Sequence, residues 1–175
     1  MIHTLLLSGC KIGPKGAAKL RDGISENVTL RKLDLSDCNI RNEGLDHITD
    51  AMCDNESIGT LLINDNNLDE SCAGTLQRLL SCSKTVKRLG LSWNSLYTAE
   101  TWKKLIRGFE NNEVLVDLDL SWNALGKECV PYIRRLLMRS LSLKKLRLNG
   151  KYKEIIKTFL LIQRFLVFTS LLELY

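Results

Sequence analysis

One pattern, Leu30-x-x-Leu33-x-Leu35-x-x-Cys38-x-Ile40, recurs down the chain and constrains its fold more than any other feature. A copy before it runs Ile2, Leu5, Leu7, Cys10, Ile12. Three copies follow it: Ile58, Leu61, Ile63, Asn66, Leu68; then Val86, Leu89, Leu91, Asn94, Leu96; then Leu115, Leu118, Leu120, Asn123, Leu125. Successive first positions are separated by 28, 28, 28 and 29 residues. A sixth copy opens with Leu143, Leu146 and Leu148, then departs from the pattern at Lys151 and Lys153.

The second half of each unit is spaced as a helix, as in Leu45, Ile48, Met52 and in Leu76, Leu79, Leu80. Polar turns such as Asn27-Val28-Thr29 and Asn55-Glu56-Ser57 precede the next strand. A short strand and a short helix cannot bury their apolar faces alone, so neighbouring units must share one continuous core. The expected architecture is an α/β solenoid over residues 1–150. Parallel strands about 4.8 Å apart line its concave side, with helices on the convex side. Residues 151–175 form a separate apolar segment.

With these motifs the chain resembles the ribonuclease-inhibitor-like leucine-rich-repeat family, whose units carry L-x-x-L-x-L-x-x-N/C-x-L at this length. The class also holds Ran GTPase-activating proteins, the sensor regions of NOD-like receptors and tropomodulin-type actin cappers. The Leu-Ser-Trp-Asn segments at 91–94 and 120–123 are similar to those of uncharacterised intracellular members. The resemblance implies a horseshoe fold and a protein-binding scaffold. A GTPase-activating regulator of a Ran-like GTPase, or a sensing fragment of a larger NOD-like receptor, are the alternatives it offers. Within the family the Cys10, Cys38, Asn66, Asn94, Asn123 position is a structural ladder that packs and bonds to the turning backbone.

Residues between the structural leucines point away from the core, because strand side chains alternate. Before the second leucine they read Thr4, Lys32, Thr60, Arg88, Asp117, Lys145, and two further on Leu6, Asp34, Leu62, Gly90, Asp119, Arg147. The next column is Ser8, Ser36, Asn64, Ser92, Ser121, Asn149, and the last is Gly9, Asp37, Asp65, Trp93, Trp122, Gly150. Two acids followed by two tryptophans make a contiguous strip, and tryptophan dominates interface hot spots. The candidate partner-binding residues are therefore Asp37, Asp65, Trp93 and Trp122, with Lys32, Arg88 and Asp119 orienting a charged partner. Trp102, near Leu105 and Phe109 in helical context, belongs to the core.

The net charge of +5 invites a nucleic-acid reading, but its distribution argues against one. Residues 1–143 contain 18 basic and 18 acidic side chains, so the whole excess lies in residues 144–175. A nucleic-acid partner is not expected.

No catalytic set, cofactor motif or metal site is expected either. The two histidines, His3 and His47, stand beside no nucleophile in a recognisable motif. Gly9-Cys10-Lys11-Ile12-Gly13-Pro14-Lys15-Gly16 lacks the spacing of a phosphate-binding loop, and the repeat accounts for its apolar residues. The six cysteines, at 10, 38, 53, 72, 82 and 129, show no close metal-ligand spacing and read as reduced thiols of a cytoplasmic protein. Asn27-Val28-Thr29 and Asn55-Glu56-Ser57 match the glycosylation sequon but coincide with the repeat turn.

Both ends are unusual. The first repeat starts at Ile2 without a polar cap over Ile2, Leu5 and Leu7, as expected of a fragment or a short family member. From Ile155 to Tyr175 the chain is mostly Ile, Leu, Phe and Val, divided by Arg164 and Glu173. The uncharged runs fall well short of the roughly 18 residues a membrane span needs, so a capping helix is expected there instead.

Overall fold

The computed structural model describes residues 1–150. Over that span strands and helices alternate: β1 (Thr4–Leu6), α1 (Gly13–Ser25), β2 (Lys32–Asp34), α2 (Arg41–Asp54), β3 (Thr60–Leu62), α3 (Ala73–Cys82), β4 (Arg88–Gly90), α4 (Ala99–Glu110), β5 (Asp117–Asp119), α5 (Val130–Arg139) and β6 (Lys145–Arg147). The strands lie side by side in chain order as a parallel sheet. Residues 151–175, including Lys151, Lys153 and the proposed capping helix, lie outside the described residues.

The register follows the sequence columns. Thr4, Lys32, Thr60, Arg88, Asp117 and Lys145 are paired in succession, as are Leu6, Asp34, Leu62, Gly90, Asp119 and Arg147. A register slip by one residue would turn Leu33, Leu61, Leu89 and Leu118 out of the core, where each is now buried, so the pairing is strongly specified. Leu35, Ile63, Leu91, Leu120 and Leu148 are buried a step further on, at the entry to each loop.

Consecutive helices pack against each other on the other side, closest where side chains are small. A Cβ on Gly44 would lie 3.2 Å from Ala17 Cβ and from Pro14 Cα, so α2 approaches α1 nearly backbone to backbone there. Gly108 does the same for α4 against α3, with Gln77 Cα 3.1 Å from its would-be Cβ. Trp102, on α4, is fully buried, and its Nε1 donates to the Leu96 carbonyl at 2.9 Å. At the first coil Ile2 is 67% and Leu6 60% exposed, as expected of a coil with no described neighbour before it.

One expectation is corrected. Cys53 and Cys82 are not free thiols: they form a disulfide across the C-terminal ends of α2 and α3, with a Cα separation of 5.1 Å. They stand 29 residues apart, one repeat plus one residue, and stacking brings them together although nothing local in the sequence pairs them. Cys10, Cys38, Cys72 and Cys129 are free. Burial pushes the Cys72 thiol up to about 12 and the Cys129 thiol up to about 11, and raises Cys38 as well. Thiolate is the reactive form, so these three should be inert at neutral pH. Iodoacetamide at pH 8 should modify the native protein at the exposed Cys10 alone, and after mild reduction at Cys53 and Cys82 too. Mass mapping that finds Cys72 or Cys129 labelled in the folded protein would contradict this.

Candidate protein-binding rim

Each loop leaving a strand turns sharply, and the same column carries the turn in successive coils. Gly9, Asp37, Asp65, Trp93, Trp122 and Gly150 all have positive φ, at 76°, 52°, 50°, 57°, 60° and 137°. Glycine adopts this region freely, and Asp tolerates it because its short polar side chain bonds locally. Tryptophan gains nothing comparable, and a left-handed conformation costs a bulky residue about 1–2 kcal/mol.

Despite that cost the two tryptophans stand next to each other and remain accessible. Their ring centroids are 4.8 Å apart with an interplanar angle of 16°, a stacked pair. Trp93 is 57% exposed and Trp122 46%. Asp37 and Asp65 are exposed on the preceding coils. Neither forms an ion pair among the described residues. The tryptophan pair and the acids therefore share one rim at the C-terminal ends of the strands.

The concave face beside this rim is already paired. Arg88 Nε lies 3.1 Å and Arg147 Nη2 2.9 Å from Asp117 Oδ2, and Arg147 Nη1 is 3.8 Å from Asp119 Oδ2. Asp119 Oδ1 also accepts from the Ser121 amide at 3.0 Å. Arg88 and Asp119 thus enter a network with Asp117 and Arg147, two residues that column-by-column reading left out of the candidate set. Lys32 is half-buried on β2, away from that network.

Behind the rim runs the Cys/Asn ladder. Asn66 Oδ1 accepts from the amides of Cys38 and Ile40, at 3.2 and 3.1 Å, while its Nδ2 donates to the Leu35 and Asn64 carbonyls at 2.8 and 2.9 Å. Asn94 accepts from the amides of Asn66 and Leu68 in the same way, and Asn123 from that of Leu96. Cys38 is a weaker substitute: its Sγ donates to the carbonyls of Leu7 and Ser36. Cys10 is exposed in the first coil.

A second ladder, missed in the sequence, runs along the opposite edge. Asn27, Asn55 and Asn112 each accept through Oδ1 from the two amides that begin the next strand segment. Asn55 Nδ2 reaches back to the carbonyls of Ile24 and Asn27, and Asn112 Nδ2 to that of Leu80. Ser83 and Ser140 hold the same place with a single bond. The signal was a recurrence at the repeat step, obscured because Ser replaces Asn in two coils. Both amide ends of Asn55 are occupied and the residue is buried, so its sequon is a turn in this fold. Among the described residues no His, Cys, Asp and Glu cluster could hold a metal ion, and no helix is long and apolar enough to cross a membrane.

Comparison with known proteins agrees with this architecture. A family model described as a leucine-rich repeat matches residues 1–20, 26–48 and 111–128. The structure of leiomodin-1 actin-binding site 2 superposes with a TM-score of 0.70 at 18% identity, covering 86% of this chain and 87% of that one. The fold is a leucine-rich-repeat solenoid. The tropomodulin C-terminal domain of Caenorhabditis elegans, at 14% identity and a TM-score of 0.64, shares it over 86% of this chain and 97% of its own length. No curated protein matches in sequence.

Proposed function

We propose that this solenoid is a non-catalytic interaction module that holds a protein partner on the rim built by Trp93 and Trp122, with Asp37 and Asp65 beside them. The observation carrying the reading is the stacked, half-exposed tryptophan pair in a backbone region that disfavours tryptophan. A residue chosen only to close this turn would be Gly, Asn or Asp, as it is at Gly9, Asp37 and Asp65. Arg41 and Ala124 also stand at positive φ, so it is the stacking and exposure of the pair, added to the strain, that mark the rim.

The scaffold suits the role. Stacking fixes the rim side chains before any partner arrives, so little ordering entropy is lost on association. The Arg88, Asp117, Asp119 and Arg147 network pairs the charges of the neighbouring face. That leaves electrostatic orientation chiefly to the two exposed acids, with Lys32 at the margin. The repeat step of 28 or 29 residues, with a helix in every complete unit, supports placing the chain in the ribonuclease-inhibitor-like subclass.

The test replaces both tryptophans by asparagine, which accepts the left-handed backbone. Relief of strain offsets much of the lost stacking, worth about 0.5–1.5 kcal/mol, so stability should stay within about 2 kcal/mol of the parent. Partner capture should fall about a hundredfold, as two hot-spot residues are lost. A folded double variant with unchanged capture would reject the rim as the contact. Since leiomodin-1's domain is an actin-binding site, cosedimentation with actin filaments is the first defined assay. A GTP-loaded Ran-type GTPase is the second, with acceleration of hydrolysis supporting the regulator alternative.

A further inference from the structure

Among the described residues the exposed Trp and Tyr side chains are confined to one edge. Trp93, Tyr97 and Trp122 all stand in the loops that leave β4 and β5. The segments leaving β2 and β3 carry acids instead: Asp37 and Asp65 in the rim column, then Asp69 and Glu70 beyond it, all exposed. The rim is thus divided along the array, acidic at the second and third coils and aromatic at the fourth and fifth. Its sign also differs from that of its surroundings. Residues 35–41, 63–72, 91–98 and 120–129 hold five acids, Asp37, Asp65, Asp69, Glu70 and Glu128, against two bases, Arg41 and Lys127. None of the five forms an ion pair among the described residues. Residues 1–143 as a whole are balanced, so this edge is the negative side of a solenoid whose remainder is positive.

We infer that the partner seats on this rim a protein segment that is basic and apolar in tandem, with Lys or Arg along the coils of Asp37 and Asp65 and aromatic or aliphatic side chains on those of Trp93 and Trp122. The exposed aromatics supply the apolar area that such a segment covers, and tryptophan and tyrosine are favoured at such contacts. The acids decide its charge, because like charges brought together cost affinity while opposite ones steer the encounter. An acidic segment, a nucleic-acid backbone and an anionic membrane surface all meet the same repulsion. Asp69 is partly occupied, accepting from the Ser71 amide at 2.8 Å and from Asn42 Nδ2 at 2.7 Å, so Asp37 and Asp65 are the carboxylates with most to gain. Asp37, Asp65, Trp93 and Trp122 share one column, and parallel neighbours stand about 4.8 Å apart, so the row spans roughly 14 Å. Extended chain advances about 3.3 Å per residue, which makes a hexapeptide long enough to cover it.

This inference rests on the rim being the contact, and it is tested with probes of known chemistry. The full chain is titrated with a capped hexapeptide of three arginines, glycine, leucine and phenylalanine while the three indole N–H resonances are followed. Two further probes carry three glutamines or three glutamates in place of the arginines. Saturable shifts of Trp93 and Trp122 are expected for the arginine probe, with about tenfold weaker binding for the glutamine probe and none for the glutamate one. Trp102, buried and bonded to the Leu96 carbonyl, is the internal reference and should not shift. Asp37→Asn with Asp65→Asn keeps the left-handed turns and should weaken the arginine probe about tenfold without changing the glutamine one. Glu56→Gln, removing an exposed acid in the turn before β3 at the opposite edge, should change neither. Absence of shifts, equal affinity for all three probes, or indifference to the double aspartate change would overturn the inference. Equal affinity alongside loss of partner capture by the tryptophan double variant rejects the basic segment and leaves the rim standing. Intact capture by that variant rejects the rim itself.

Discussion

Replacing Asn66 by alanine is expected to remove about 4 kcal/mol of stability, a large share of what a domain of this size possesses. The side chain is fully buried and is bonded at both ends to other residues. Its loss leaves the amides of Cys38 and Ile40 without their acceptor and the Leu35 carbonyl without the Nδ2 donor, while the Asn64 carbonyl keeps the Asp37 amide at 2.9 Å. Each buried group so abandoned costs about 1–3 kcal/mol, because it was desolvated on folding and recovers nothing. The two amides belong to the coil before, so the damage falls on coil-to-coil coupling, the term on which a stacked array depends. Asn66→Cys should lie between Asn66→Ala and the parent, since the Cys38 thiol at the same position bonds to two carbonyls and takes a backbone N–H from Cys10, where Asn66 accepts from two amides. Urea denaturation of the three proteins checks the order. Equal midpoints for the parent and Asn66→Ala would show that the ladder contributes nothing net.

The second large effect concerns Trp102. Truncating it to alanine should cost about 4–5 kcal/mol, near the upper end for a buried aromatic, since the largest fully buried side chain would leave a cavity and an unpaired Leu96 carbonyl. Trp102→Phe retains most of the volume and loses the 2.9 Å bond, so it should cost less than half as much. The contrast with the rim is the informative part. Three tryptophans of one chain should separate into a stability residue and a binding pair: thermal denaturation should respond strongly to Trp102→Ala and weakly to Trp93→Asn with Trp122→Asn. If the rim pair proved as costly to remove as Trp102, it would be packing rather than contact.

Trp102 was legible in the sequence because helical spacing against Leu105 and Phe109 places it on the buried face of α4. The sheet register was legible for a similar reason: the pattern repeats with period two inside each strand and with a constant step between strands. Columns such as Thr4, Lys32, Thr60 and Leu33, Leu61, Leu89 could therefore be aligned before any coordinate was known. The Asn27, Asn55, Asn112 ladder obeyed the same repeat step and went unread, because its members look like ordinary turn residues and serine interrupts the series. Arg88 and Asp119 were placed on the correct face, yet as free charges. Nothing in a column tells how far a guanidinium reaches across neighbouring strands, and here Asp117 and Arg147 complete the network.

The solenoid, its parallel register and the row in which Asp37, Asp65, Trp93 and Trp122 stand follow from the sequence by itself, since local periodicity dictates which side chains enter the core and stacking does the rest. Tertiary structure alone decided three other matters. It joined Cys53 to Cys82, 29 residues apart and so one repeat plus one residue, a pairing that no local spacing signals. It paired the concave charges, leaving Asp37 and Asp65 as the exposed acids of the rim. It also stacked the two indoles half-exposed, on a left-handed backbone that tryptophan disfavours. These depend on distances and ring orientations between residues a full repeat apart, which a one-dimensional pattern does not carry.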